Sequence, residues 1–364
     1  METFKTFMST EKNKITDVLQ QETIHWSSYT DKDLALCKKS IRHLHGRMNT
    51  SIDVKATDYD KQIVLADIKY GGIYRPRDCK QKDSVAIVIP YRDRIEHLNI
   101  LINHLHAMLQ RQKLYYGIYV VEMSLPVQFN RGLLANAGFM TAQSIGNYSC
   151  YIIHDVDLLP LNDFNEYKCS PNNPKHLVTK NSKFKNDALP YTDYIGGVLA
   201  LTTEQYYRVN GFSNLYFGWG GEDDDMHQRI KARNLTIVRN AEHIGVYLAL
   251  PHNGDSSNPP NPYRDLLLQQ GAYRMNVEGL SSIRYIRKSL EFRQLYTWVL
   301  IDCVESEIMS SYSNLRISGK GYIKKNKIRT HSKHYVKNSN LHVASKLRVN
   351  SPSRLLRRQI VRRT

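Results

Sequence analysis

The chain has 364 residues, 41% hydrophobic and 23% charged, enough length and apolar content for a buried core, which excludes wholesale disorder. Its formal charge of +17 points at first to nucleic acid or a membrane surface. No acidic residue follows Glu307, however, and 15 of the 51 basic residues lie between Arg316 and Arg363; the other 36 against 34 acids leave residues 1–315 at +2, so no specific nucleic-acid partner is expected.

Residues 1–34 are polar, show no apolar leader segment, and read as a loose N-terminal stretch. No run of about 18 apolar residues occurs, so no membrane-spanning helix is expected. The apolar run 85–89, closed by Pro90, reads as a buried parallel strand. Ile95, Leu98, Leu101, Ile102, Leu105, Met108 and Leu109 follow at helical spacing. Residues 118–121 form a second strand, 130–145 a helix with Leu133, Leu134, Ala137 and Met140 on one face, and 150–154 a third strand. This alternation predicts an α/β fold with a mostly parallel central sheet flanked by helices and right-handed crossovers. Ligands in such sheets sit beyond the carboxyl ends of the strands, where Pro90-Tyr91-Arg92 and Asp155-Val156-Asp157 stand. Further on, 194–201 reads as a strand, 203–209 as a short helix and 222–233 as a helix after a glycine-rich loop. Residues 250–263, with four prolines and Gly254, read as a long loop. The expected organisation is a main α/β domain over 35–306 and a basic, disordered tail over 307–364, the one segment suited to polyanions or a membrane surface.

Two stretches carry chemistry. In Asp155-Val156-Asp157 the alternating carboxylates bring hard oxygen donors to a strand end, where they can hold a divalent cation against a diphosphate, although such a triplet serves equally as a solvated turn. In Gly218-Trp219-Gly220-Gly221-Glu222-Asp223-Asp224-Asp225, glycines surround one large stacking surface and four acids open a helix. Crowded like charges raise a carboxylate's pKa and suit a general base. An acidic helix start beside a core tryptophan is the plainer explanation, but it leaves the flanking glycines unexplained. The five cysteines, Cys37, Cys79, Cys150, Cys169 and Cys303, form no CxxC cluster, which argues against structural zinc and leaves their redox state open.

Four segments together resemble the β-1,4-galactosyltransferase family over roughly residues 35–305: Ile89-Pro90-Tyr91-Arg92-Asp93-Arg94, Phe129-Asn130-Arg131, Asp155-Val156-Asp157, and Asn210-Gly211-Phe212 running on to the acidic motif. The resemblance implies a GT-A type nucleotide-sugar-binding fold and inverting, Mn²⁺-dependent transfer from UDP-galactose to a sugar acceptor, by a β-1,4 linkage to terminal N-acetylglucosamine or a related glycan. It assigns Pro90, Tyr91, Arg92, Arg94, Phe129, Arg131, Asp155, Val156 and Lys183 to the donor, and Asp157 and His252 to the metal. Asp223 becomes the catalytic base, with Glu222 and Asp224 beside it at the sugar hydroxyls, and Trp219, Gly220, Gly221 and Arg264 fall to the substrate. A tyrosine at Tyr194 implies a donor pocket narrowed toward UDP-galactose and away from UDP-N-acetylgalactosamine. The resemblance further implies disulfides Cys37–Cys79 and Cys150–Cys169, an oxidising compartment and the Golgi lumen.

The sequence departs from the family pattern in places. A third metal ligand, three residues before the histidine, falls on Ala249; an aromatic residue of the acceptor pocket falls on Asp265; the usual membrane anchor and a counterpart to the tail are not found. Two other readings follow, an N-acetylgalactosaminyltransferase and a catalytically degenerate protein binding glycans or polyanions. Asn49-Thr50-Ser51, Asn147-Tyr148-Ser149 and Asn234-Leu235-Thr236 match the glycosylation sequon.

Overall fold

The computed structural model describes residues 34–37, 44–48, 65–251 and 258–310. The expectations of a loose start and a basic tail therefore fall, but for a few residues, outside the described residues. The strands and helices used below are, in chain order, β1 (Ile68–Lys69), β2 (Ile73–Tyr74), β3 (Ser84–Tyr91), α1 (Ile95–Arg111), β4 (Tyr115–Met123), α2 (Arg131–Ile145), β5 (Cys150–His154), β6 (Leu158–Pro160), β7 (Lys175–His176), β8 (Lys180–Asn181), β9 (Val198–Thr202), α3 (Thr203–Arg208), α4 (Glu222–Ala232), β10 (Val238–Arg239), β11 (Val246–Ala249), α5 (Arg264–Leu268), α6 (Gly271–Arg274), β12 (Ile286–Phe292) and β13 (Thr297–Asp302).

The apolar run expected as a strand is the middle of β3, buried along its whole length. β3 lies between β4 and β5, parallel to both, and β13 extends this parallel centre along the far edge of β4. The flanks are mostly antiparallel: β9 pairs with β5 and β7, β2 with β4, and β12 with β13, while β10 lies parallel to β7 at the edge. A second sheet of three strands runs β6-β11-β8. Because alternate residues of a strand face opposite sides, β3 feeds two cores. Ala86 and Val88 join Val121, Leu134 and Phe139 on the α2 side, while Val85, Ile87 and Ile89 join Leu98, Leu105 and Met108 on the α1 side.

The strand expected over 194–201 begins only at Val198. Gly197 has φ +95°, a left-handed conformation that breaks the strand, and its carbonyl accepts the Asp155 N–H at 2.9 Å. Residues 194–197 thus leave the sheet beside the end of β5. The β12–β13 hairpin was not anticipated, although β13 alternates between buried and half-buried positions as an ordinary strand does. Cys37 is bonded to Cys79 and Cys150 to Cys169, the pairs the resemblance implied, while Cys303 is a buried free thiol. Among the described residues no helix is long and apolar enough to cross a membrane.

Helix α2 approaches the sheet through Gly138, where an added Cβ would stand 2.2 Å from Val88 Cγ1 and 2.9 Å from Val121 Cγ2. Gly138→Ala overpacks this contact and is expected to cost about 1–3 kcal/mol despite alanine's better helix propensity. A melting temperature at or above that of the parent would show that the helix can lift away freely.

Candidate active site

The site is assembled where β3 and β5 end and where α2 and α4 begin. Asn130 caps α2: its Oδ1 accepts the Leu133 N–H at 2.9 Å, and its Nδ2 donates to Asn214 O at 2.8 Å. The cap fixes Arg131, the first residue of the helix, over the end of β5. From there its guanidinium reaches in two directions, Nε donating to Asp155 Oδ1 at 2.7 Å and Nη1 to Asp223 Oδ1 at 2.8 Å, with Glu222 Oε1 3.9 Å away. Asp155 belongs to the turn after β5, and Glu222 and Asp223 open α4.

Burial is the largest influence on both α4 acids and raises their pKa values. For Glu222 the neighbouring Asp223 charge adds to the rise while Arg131 opposes it; for Asp223 Arg131 opposes it while Asp155 and Asp224 add to it. Both carboxyls lie above the usual carboxylate range. Burial and the Asp223 and Asp155 charges likewise raise Tyr194, so its phenol remains a neutral hydrogen-bond donor. Tyr194 and Asp223 converge over Gly196: a Cβ there would lie 2.5 Å from the Tyr194 hydroxyl and 2.8 Å from Asp223 Oδ2. Tyr191 stands edge-on to Tyr194 and donates its hydroxyl to Asp224 Oδ1 at 2.6 Å.

The other expected donor-side residues surround this cluster. Pro90 and Tyr91 close β3, and the Tyr91 hydroxyl accepts the Arg94 N–H at 3.1 Å. Arg92 is buried, donates to Val127 O at 2.9 Å and lies over the Phe129 ring. Arg94 Nη1 stands 3.5 Å from Asp157 Oδ2, and Val156 is buried between the two aspartates. Lys183 is exposed in the turn after β8, next to Phe184, whose ring meets Tyr194 edge-on. Trp219 is 59% exposed, yet its backbone is held: its N–H donates to Pro259 O at 2.8 Å and its carbonyl accepts the Asn261 N–H at 3.0 Å. Gly220 and Gly221 leave the space in which the Arg264 side chain lies, the nearest Arg264 atoms to an added Cβ being 3.5 and 2.9 Å away. Asp265 is exposed in the first turn of α5.

Of the two expected metal ligands, Asp157 is described and His252 lies outside the described residues. Leu250 N–H donates to Asp157 O at 2.7 Å, so the backbone touches Asp157 two positions before His252. Ala249 pairs with Leu158 across the second sheet and offers no ligating atom. Among the described residues no three His, Cys, Asp or Glu side chains gather as a cation site. The Asp157 carboxylate, a hard and partly exposed oxygen donor, fits one position of a divalent-cation site beside a diphosphate.

One member of the acidic run does something its motif did not announce. Asp225 is fully buried, bonded to Arg229 Nε at 2.5 Å and to Arg274 Nη2 at 2.7 Å. Glu278 completes the network, 2.7 Å from Arg229 Nη2 and 3.0 Å from Arg274 Nη1, and also accepts the Asn214 N–H at 2.6 Å. The sequence signal was present only as isolated charges at helical spacing, Asp225 with Arg229 and Arg274 with Glu278. The buried His154 was also passed over; it bridges the Asp155 carbonyl at 2.8 Å and the Tyr167 hydroxyl at 2.8 Å beneath the site.

Comparison with known proteins assigns the class. Residues 37–170 match the N-terminal region of glycosyl transferase group 7, and residues 175–253 match the N-terminal domain of galactosyltransferase. The molecule is a glycosyltransferase with a GT-A type α/β fold. Rat β-1,4-galactosyltransferase 4 is 40% identical over 300 residues, covering 82% of this chain and 86% of the relative. Human β-1,4-galactosyltransferase 4 is 46% identical over 232 residues, 64% of this chain and 67% of the relative. A solved structure of a mutant Drosophila β-1,4-galactosyltransferase 7, in complex with manganese, UDP-Gal and xylobiose, is similar at 29% identity and TM-score 0.53, covering 62% of this chain and 98% of that one. The chain belongs to the β-1,4-galactosyltransferase family.

The raised carboxyls have a consequence for stability. The folded chain holds protons at Glu222 and Asp223 that the unfolded chain releases, so the pair's contribution is fullest in acid. It is lost as pH rises from the ordinary carboxylate range through neutrality. Glu222→Gln, which cannot ionise, is expected to flatten that decline in denaturant unfolding measured against pH; an unchanged slope would contradict the assignment of the shift to this pair.

Proposed function

We propose that this chain transfers galactose from UDP-galactose to a hydroxyl of a sugar acceptor, with inversion at the anomeric carbon, forming a β-1,4 linkage to terminal N-acetylglucosamine or a related glycan. The observation that carries the reading is the Asp223 carboxyl. It is raised above its usual range and held beside the Tyr194 hydroxyl over Gly196, and Arg131 links it to the strand-end acid Asp155.

In this reading the acceptor oxygen attacks the anomeric carbon as the bond to the diphosphate oxygen breaks, and Asp223 takes the hydroxyl proton. A base of raised pKa accepts that proton more readily than an ordinary aspartate. Arg92, Arg94 and Arg131 supply permanently charged, planar donors for the diphosphate, with Lys183 at its edge. Phe129, which packs under Arg92, and Pro90 and Tyr91 at the end of β3 form the uridine side. Asp157 and His252 would hold Mn²⁺, which when bound neutralises charge on the departing diphosphate. Glu222 and Asp224 address sugar hydroxyls, while Trp219, Gly220, Gly221 and Arg264 bound the acceptor side. The two disulfides support work in an oxidising compartment, which we take to be the Golgi lumen.

Asp223→Asn keeps the shape of the site and removes the base. We expect UDP-galactose binding by calorimetry to be retained while transfer falls by about 10²–10⁴; near-parent turnover would overturn the role of Asp223. The alternative donor, UDP-N-acetylgalactosamine, is disfavoured by the Tyr194 ring, which is hemmed by Phe184 and Tyr191. Tyr194→Leu is expected to raise the ratio of UDP-N-acetylgalactosamine to UDP-galactose turnover, and an unmoved ratio would remove Tyr194 from donor choice.

A further inference from the structure

Asn234-Leu235-Thr236 lies at the carboxyl end of α4, away from the site. Asn234 is exposed and sits in the turn that ends the helix with φ +55°, its N–H donating to Lys231 O at 3.0 Å. Asparagine tolerates that left-handed conformation, which alone would explain its presence. It does not explain the exposed Thr236 two positions on, nor the way the turn divides its side chains. Leu235 is buried in the main core with its N–H donating to Ile230 O at 3.1 Å, and Thr236 N–H donates to Asn173 Oδ1 at 2.9 Å. Pinned through these groups, the turn presents Asn234 and Thr236 outward on either side of Leu235. The Asn147 triplet differs: its Ser149 hydroxyl is tied to Ser84 across the start of β3 and β5.

Two further facts bear on modification. Cys37–Cys79 and Cys150–Cys169 are disulfides, as in a chain folded in an oxidising compartment, where asparagine-linked glycans are also attached. Helix α4 has 11 residues, so Asn234 is about 16 Å along the axis from the acids at its start. A bulky glycan there leaves the mouth of the site open.

We propose that Asn234 carries an asparagine-linked glycan. The amide Nδ2 of Asn234 bonds to the anomeric carbon of the first N-acetylglucosamine of a polyprenyl-diphosphate-linked oligosaccharide. The bond from that carbon to the diphosphate breaks, its electron pair leaves with the polyprenyl diphosphate, and the amide proton passes to a base of the transferring enzyme. The attached glycan covers the carboxyl end of α4.

The test is glycopeptide mapping of the full chain expressed in mammalian cells. Enzymatic release of glycans in heavy-oxygen water converts a modified asparagine to an aspartate carrying one heavy oxygen. The tryptic peptide spanning residues 234–239 is expected to carry that mark. Thr236→Ala, which leaves the Asn234 backbone undisturbed, is expected to lose the mark and one glycan's worth of gel mobility while keeping galactosyl transfer. Thr236→Ser preserves the sequon and is expected to keep the glycan. Recovery of the 234–239 peptide wholly unmarked from the parent chain, or identical mobility of parent and Thr236→Ala, would overturn the proposal. Neither result touches the reading of the active site.

Discussion

Arg131 places one guanidinium where acids from two distant stretches of chain converge. Desolvating a cation is costly, and here Asp155 and Asp223 at hydrogen-bond distance, with Glu222 beyond them, outweigh that cost and raise its pKa. The dependence runs both ways. Without Arg131 the end of β5 and the start of α4 would set uncompensated carboxylates against one another in a partly buried pocket. A lysine could not take its place, because the two contacts use separate nitrogens of a rigid planar fork. In the proposed reaction the same cation also meets the diphosphate, which would link donor binding and the state of Asp223 through one side chain.

That arrangement needs α4 to stand still. Successive helix residues point about 100° apart, so four consecutive acids cannot share a destination. Glu222 and Asp223 face Arg131, Asp224 meets Tyr191, and Asp225 turns inward to Arg229 and Arg274. Charge for charge, the inward network of Asp225, Arg229, Arg274 and Glu278 is balanced, and Tyr216, Ser213 and Asn214 donate further hydrogen bonds to the two acids. Asn214 belongs to both halves of the site, bonded to Glu278 on one side and to the α2 cap Asn130 on the other. The two helices that carry the Arg131–Asp223 pair are thus tied through one buried segment. A buried ionic network is a poor source of net stability, but removing one member leaves the others stranded, which makes it an effective positioning device.

Much of this was legible in the sequence, and what was not has physical reasons. Apolar runs at 85–89 and 150–154, with helical periodicity between, specified the parallel centre, because strands buried on both faces have no polar alternation to confuse. The sheet edge and the second sheet were less visible: β7, β8 and β10 are two residues each, too short to carry a period. The strand start at Tyr194 was misjudged because Tyr194 and Ile195 have strand propensity, while Gly197 takes a conformation that ends the strand. The acidic motif marked the site, but nothing local distinguished Asp225 from Asp223. Their difference is set by which partners the fold brings from residues 131 and 274. Arg131 was singled out only through family likeness, and its grip on two acids arises only when α2, β5 and α4 meet. Cys37–Cys79 and Cys150–Cys169 came from family likeness, since spacing alone does not choose among pairings of five cysteines.

Sugar transfer at the proposed Asp155–Arg131–Asp223 cluster would be read out as acceptor-dependent release of UDP. Purified chain would be supplied with Mn²⁺ and UDP-galactose, and UDP release followed with N-acetylglucosamine, glucose or xylose as the acceptor. UDP release is expected to depend on the metal and to be stimulated by one of these sugars well above the rate with water alone. UDP-galactose binding without acceptor-stimulated release from any of them would contradict it and favour a chain that has kept the donor site and lost the reaction.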